Sequence, residues 1–141
     1  MTLMTHCHIG EGKSALVVDD EPTVGHIMCQ VLEQMGYEVD HALDGDEALA
    51  RSLNRLYDIV ICDILMPRTN GMALYEAWRQ QAPILAARTI FVTGDSLGIE
   101  TEQFIERTGC PCVYKPFKLN DLAQTVVDLQ TTLDAERLAE N

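Results

Sequence analysis

The stretch IVICDILMP, residues 59–67, decides the fold, because it places one carboxylate at the end of an otherwise apolar run. Ile59-Val60-Ile61-Cys62 is too short for a helix and rich in β-branched residues, so it reads as a strand buried on both faces. An ionised carboxylate buried alone at its end costs several kcal/mol, so Asp63 needs a partner. The rest of the chain has to supply it.

Working outward, Ala15-Leu16-Val17-Val18, Tyr37 to Ala42, Thr89 to Val92 and Cys112-Val113-Tyr114 have the same strand texture. Between them apolar residues recur every three or four positions, as on helices. Val24, Ile27, Met28, Val31, Leu32 and Met35 share one helical face, and Gly36 follows where a helix stops. A second helix starts at Asp44, capped by that side chain with Glu47 reaching back, and turns Leu49, Leu53 and Leu56 inward. Two weaker stretches carry Leu74, Tyr75 and Trp78, then Phe104 and Ile105, with Trp78 read as core. Leu122, Val126, Leu129 and Leu133 form a last stripe at spacings of 4, 3 and 4, too short to claim as a coiled coil.

The alternation predicts an α/β fold of (βα)5 type, a parallel sheet with right-handed crossovers and helices on both faces. Residues 14–131 form the domain, 1–13 an N-terminal tail, and 132–141 a C-terminal tail or the end of the last helix. With 141 residues and 47% hydrophobic content the chain is sized for one folded domain. Its net charge of −12 disfavours direct contact with nucleic acid or anionic membrane. No apolar stretch approaches the roughly 20 residues of a membrane span, and no secretion signal opens the chain, so a cytoplasmic location is expected. Five cysteines at irregular spacing fit reduced thiols, and Cys110 and Cys112 are too close to pair without strain. His6-Cys7-His8 lacks a second ligand pair for a metal site.

Ligands in such sheets bind at the carboxyl ends of the strands. There the chain places Asp19 and Asp20 after the first strand, Asp63 after the third, Thr93 after the fourth and Lys115 after the fifth; the second supplies no comparable group. In the sheet order 2-1-3-4-5, flavodoxin-like, these side chains converge on one rim. Singly each has a plainer reading: a helix-capping acid pair, a turn threonine, a solvated lysine. Jointly they form a site. Three carboxylates against one ammonium invite a hard divalent cation, and Mg²⁺ characteristically bridges carboxylates to phosphate. Beside a phosphoryl group, Asp63 becomes a nucleophile, Lys115 neutralises charge and Thr93 donates a hydrogen bond.

The segments VVDDEP, Asp63 to Gly71 (DILMPRTNG), Thr93-Gly94 and Lys115-Pro116-Phe117 closely resemble the receiver domain of two-component response regulators, from about Ser14 to about Gln130. The resemblance implies that Asp63 accepts a phosphoryl group from a phosphohistidine on a histidine kinase or phosphotransfer protein. It implies that Asp20, Asp63 and the Leu65 carbonyl hold Mg²⁺, with Asp19 binding through water. It also implies a cis Lys115–Pro116 bond, tuning of phosphoryl lifetime by Leu65 and Asp95, and a switched protein-binding surface on the last helix-strand-helix face. That face is also the one open to homodimerisation. Many members carry an inward-turning aromatic three residues before the lysine; here that residue is Cys112, and Tyr114 stands elsewhere on the strand. GCPCVYKPF is more similar to receivers fused to sensor kinases than to those of transcriptional regulators.

Two other readings compete. An aspartyl-phosphate phosphohydrolase of the haloacid dehalogenase type needs a second aspartate two positions after its nucleophile, but Glu21 stands there after Asp19. A degenerate receiver that only docks would lack phosphotransfer residues, all of which are present. The segment GEGKS, residues 10–14, mimics a phosphate-binding loop, yet Cys7 occupies the position of its first glycine and the segment precedes a strand. It is a tail carrying a solvated Lys13.

Overall fold

The first strand, β1 (Ser14–Val18), sends Ala15 and Val17 to one side of the sheet and Leu16 and Val18 to the other, and all four are fully buried. The computed structural model describes residues 8–94 and 98–140; His6, Cys7 and the tuning position Asp95 lie outside them. The other strands are β2 (Glu38–Ala42), β3 (Ile59–Asp63), β4 (Thr89–Thr93) and β5 (Cys112–Tyr114). All pair in parallel, in the order β2-β1-β3-β4-β5. The three inner strands are buried throughout, which is why they read as continuous apolar runs without alternation.

Helices α1 (Pro22–Gln34) and α6 (Leu119–Ala139) cover one face, packing Met28, Val31, Leu32, Leu122 and Val126 onto Val17, Ile61 and Val92. The other face carries α2 (Gly45–Asn54), α3 (Gly71–Gln81), the short α4 (Pro83–Ala86) and α5 (Ile99–Thr108). Tyr75, Phe91 and Phe104 meet there in tilted and edge-to-face contacts, with ring centroids 5.4–5.6 Å apart. Trp78 is fully buried in this layer.

The second helix starts as expected, with Asp44 accepting from the Glu47 amide at 2.8 Å, although Glu47 reaches back to the amide of Leu43, one residue earlier. Its inward face differs from the expected one. Leu53 and Leu56 are 59% and 62% exposed, and the helix packs instead through Gly45, Ala48, Leu49 and Ser52. Ser52 Oγ accepts the indole N–H of Trp78 at 2.9 Å, so this face meets a bulky residue with small ones. The helix ends at Asn54, and Leu56 lies beyond it, past the extended Arg55. Ile27 is likewise at the edge of its helical face and partly exposed.

Both ends of the described chain make contacts with the domain, and the C-terminal stretch is the end of the last helix. The Gly10 amide donates to the Met35 carbonyl at 2.8 Å, and Lys13 lies 3.8 Å from Asp134 rather than free in solvent. Residues 132–139 continue α6. Gln130, buried within it, accepts from the Tyr37 hydroxyl at 2.8 Å and donates to Asp134 at 2.9 Å. GEGKS thus sits at the amino end of β1, opposite the acidic rim.

Candidate functional site

Strand register builds the site. Val18 pairs with Cys62, Cys62 with Phe91 and Phe91 with Cys112, so one row crosses the inner sheet to the β5 edge. One residue further on, Asp19 and Asp63 lie side by side at the carboxyl end, with Thr93 and Lys115 just beyond. Asp63 and Thr93 are the last residues of their strands rather than the first after them. The Lys115 amide donates to the Thr93 carbonyl at 2.7 Å, and the Lys115–Pro116 peptide bond is cis.

Asp19 is fully buried and Asp63 nearly so, at 4% exposure, whereas Asp20 is exposed. Carboxylate oxygens of all three lie within 4.8 Å of one another. Lys115 Nζ stands 3.2 Å from Asp63 Oδ2 and 3.3 Å from Asp19 Oδ2. Two amides add polar support: Glu21 N–H donates to Asp19 Oδ1 at 2.8 Å, and Leu65 N–H to Asp63 Oδ1 at 3.2 Å. Burial pushes the Asp63 carboxyl above its usual range; Lys115 pulls it back and Asp19 pushes it further up. Burial works against the Lys115 charge, but Asp63 and Asp19 outweigh it and hold the ammonium above the ordinary lysine value.

Gly71 explains how Asp63 is framed from below. A Cβ there would fall 2.6 Å from the Asp63 carbonyl, and its amide donates to the Ile64 carbonyl at 2.9 Å. Only glycine lets the start of α3 approach the strand end so closely. Thr93 Oγ1 is buried and has no hydrogen-bond partner among the described residues, although an unsatisfied buried hydroxyl costs about 1–3 kcal/mol.

The donor set tests the cation. Three carboxylates cluster beside one ammonium, and every available ligand atom is a hard oxygen, so the cluster suits a divalent ion of the Mg²⁺ class and not a soft metal. The Thr93 hydroxyl, buried and without a described partner, has a hydrogen-bond donor to spare. Asp19, Asp20, Asp63, Thr93 and Lys115 share one rim, and Leu65 lies two residues past Asp63, its amide on the Asp63 carboxylate. Cys112 is half-buried against the aromatic layer, Val113 faces the opposite core, and Tyr114 is 49% exposed. No aromatic ring occupies the position three residues before Lys115. The sequence reading missed the amides of Glu21 and Leu65, whose roles depend on turn geometry, and it missed His41 on β2.

Comparison with known proteins agrees with this architecture. The chain is 32% identical over 107 residues to the transcriptional regulatory protein DltR of Streptococcus agalactiae, covering 76% of this chain and 47% of DltR. It is 34% identical over 123 residues to the sensor histidine kinase RcsC of Escherichia coli K12, covering 87% of this chain and 12% of RcsC. The chain thus spans about half of the first relative and a small part of the second. Among solved structures, a CheY-like receiver domain protein from Methanospirillum hungatei superposes with a TM-score of 0.80 at 29% identity, covering 88% of this chain and 98% of that one. The chemotaxis protein CheY4 of Vibrio cholerae gives 0.74 at 28% identity, with 83% and 98% covered. The family model described as response regulator receiver domain matches residues 15–127, and the chain belongs to that family of two-component phosphorelay signalling domains.

Proposed function

We propose that Asp63 is the phosphoacceptor of this receiver and that its donor is a phosphohistidine on a histidine kinase or phosphotransfer protein. The observation that carries the reading is the convergence of Lys115 on Asp63 and Asp19, beside a buried threonine hydroxyl that has no described partner.

An Asp63 carboxylate oxygen attacks the phosphorus in line; the new P–O bond forms as the P–N bond to the donor imidazole breaks, and the electron pair leaves with that nitrogen. Lys115 Nζ and Thr93 O–H donate to the phosphoryl oxygens, where charge must be stabilised. The Leu65 amide, already 3.2 Å from Asp63 Oδ1, holds the carboxyl in orientation. Asp19, Asp20, Asp63 and the Leu65 carbonyl would hold Mg²⁺, which supplies charge neutralisation when bound. Phosphorylation replaces a lysine-paired carboxylate by a dianionic group engaged by Thr93 and Lys115. It thereby biases the α5-β5-α6 face, the surface offered to an output partner or a second copy.

Incubation with acetyl phosphate and Mg²⁺ followed by intact mass measurement tests the reading. A single phosphoryl adduct is expected, absent in Asp63→Asn. A folded wild-type protein that binds Mg²⁺ yet gains no adduct overturns it in favour of docking alone, and steady turnover of small phosphate esters overturns it in favour of a phosphohydrolase.

A further inference from the structure

The second strand carries no acid, hydroxyl or lysine into the site, yet its last two residues grip the backbone of Asp19. The Ala42 carbonyl accepts the Asp19 N–H at 3.1 Å, and His41 Nε2 lies 3.0 Å from the Asp19 carbonyl oxygen. A carbonyl can only accept, so Nε2 carries the hydrogen and donates. We propose that His41 is a positioning residue for the acidic pocket, clamping the Asp19–Asp20 peptide from β2 so that both carboxylates face Asp63. The proposal rests on the cation and phosphoacceptor reading above.

Asp20 is where the clamp matters. The Asp19 carboxylate is held by the Glu21 amide at 2.8 Å and by Lys115 at 3.3 Å, whereas the exposed Asp20 side chain makes no hydrogen bond or ion pair among the described residues. Its direction is set by its backbone alone. The Asp19 carbonyl and the Asp20 nitrogen belong to one planar peptide unit, so fixing the carbonyl fixes that plane and the start of the Asp20 backbone. Without the donor on Nε2, the plane loses its restraint on that side.

A second observation points to the same residue. Gly25 lies inside α1, where glycine is unfavourable relative to alanine, and it is buried. A Cβ at Gly25 would fall 2.3 Å from both Cε1 and Nε2 of His41. The imidazole occupies the space that a side chain on α1 would fill, and it reaches Asp19 only because residue 25 has none. Helix, strand and turn are thus joined through one ring.

The test uses the full chain as wild type, His41→Ala, His41→Gln and Gly25→Ala. Mg²⁺ binding is measured by calorimetry, exchange of the Glu21 amide by NMR in metal-free protein, and folding by a denaturant titration. His41→Ala and Gly25→Ala are expected to weaken Mg²⁺ binding about threefold to tenfold, the worth of one neutral hydrogen bond, and to speed Glu21 exchange by a similar factor. His41→Gln, whose amide can donate at similar reach, is expected to recover most of both. Folded His41→Ala with wild-type affinity and exchange overturns the proposal, as does His41→Gln that is no better than alanine. Should His41→Ala fail to fold, a folded Gly25→Ala with wild-type affinity overturns it equally. A wild-type protein that binds no Mg²⁺ overturns instead the reading of the site on which the proposal rests.

Discussion

Asp63 ends β3 and Lys115 follows β5, with β4 between those strands in the sheet, yet the lysine Nζ lies 3.2 Å from Asp63 Oδ2. The contact spans 52 residues of sequence and crosses the rim where the phosphoryl group is proposed to sit. Lys115→Ala should leave the fold intact by circular dichroism and slow formation of the acetyl phosphate adduct on Asp63 about a hundredfold, the scale of losing one charge-stabilising donor. An unchanged rate by quench and intact mass would remove Lys115 from the chemistry.

Three carboxylates cluster beside a single ammonium, so the metal-free site carries excess negative charge. Mg²⁺ at ten times its Kd should therefore raise the unfolding free energy by about 1.4 kcal/mol, and EDTA should reverse the gain. Asp20→Asn removes one repelling charge and one ligand together. The metal-free variant should be at least as stable as wild type while its Mg²⁺-induced shift in urea midpoint shrinks. A full shift in Asp20→Asn would exclude Asp20 from the cation site.

Much of this was legible in the sequence because the inner strands, buried on both faces, leave unbroken apolar runs whose ends are marked by polar residues. Asp63 stood out for that reason, and sheet order then brought Asp19, Thr93 and Lys115 to it. His41 left no such mark. Its role depends on β2 lying beside β1 and on the missing side chain of Gly25, and neither is a property of a local pattern. Leu53 and Leu56 misled in the opposite direction. Leucines at helical spacing suggested a buried face, but Trp78 from α3 selected the small residues Ala48 and Ser52, and the helix ended before Leu56.

Tyr57 contributes a pH-dependent share of the fold's stability at alkaline pH. Its hydroxyl donates to Asp40 at 2.6 Å, and burial, reinforced by that bond and the Asp40 charge, pushes the phenol from about 10 up to about 12. The folded pKa lies above the unfolded one, so the contribution is fully present below pH about 10 and lost as pH rises toward about 12. Tyr57→Phe should unfold at lower denaturant than wild type at pH 8 to 9, with the difference narrowing across that alkaline window. A constant difference throughout would show that burial and Asp40 together do not shift the titration of this phenol in the folded state.

The indole N–H of the fully buried Trp78 has its acceptor in Ser52 Oγ at 2.9 Å, one residue before the exposed Leu53. Ser52→Ala strands that donor and should cost about 1–3 kcal/mol, whereas Leu53→Ala removes a solvent-facing side chain and should cost about 0.5 kcal/mol or less. The order is the reverse of what the leucine spacing suggests, since an inward Leu53 would cost about 2–5 kcal/mol on truncation. Urea titrations of the two variants decide which face of α2 meets the core. If Leu53→Ala is the more damaging, α2 is rotated about its axis, and the Ser52 hydroxyl is not what satisfies Trp78.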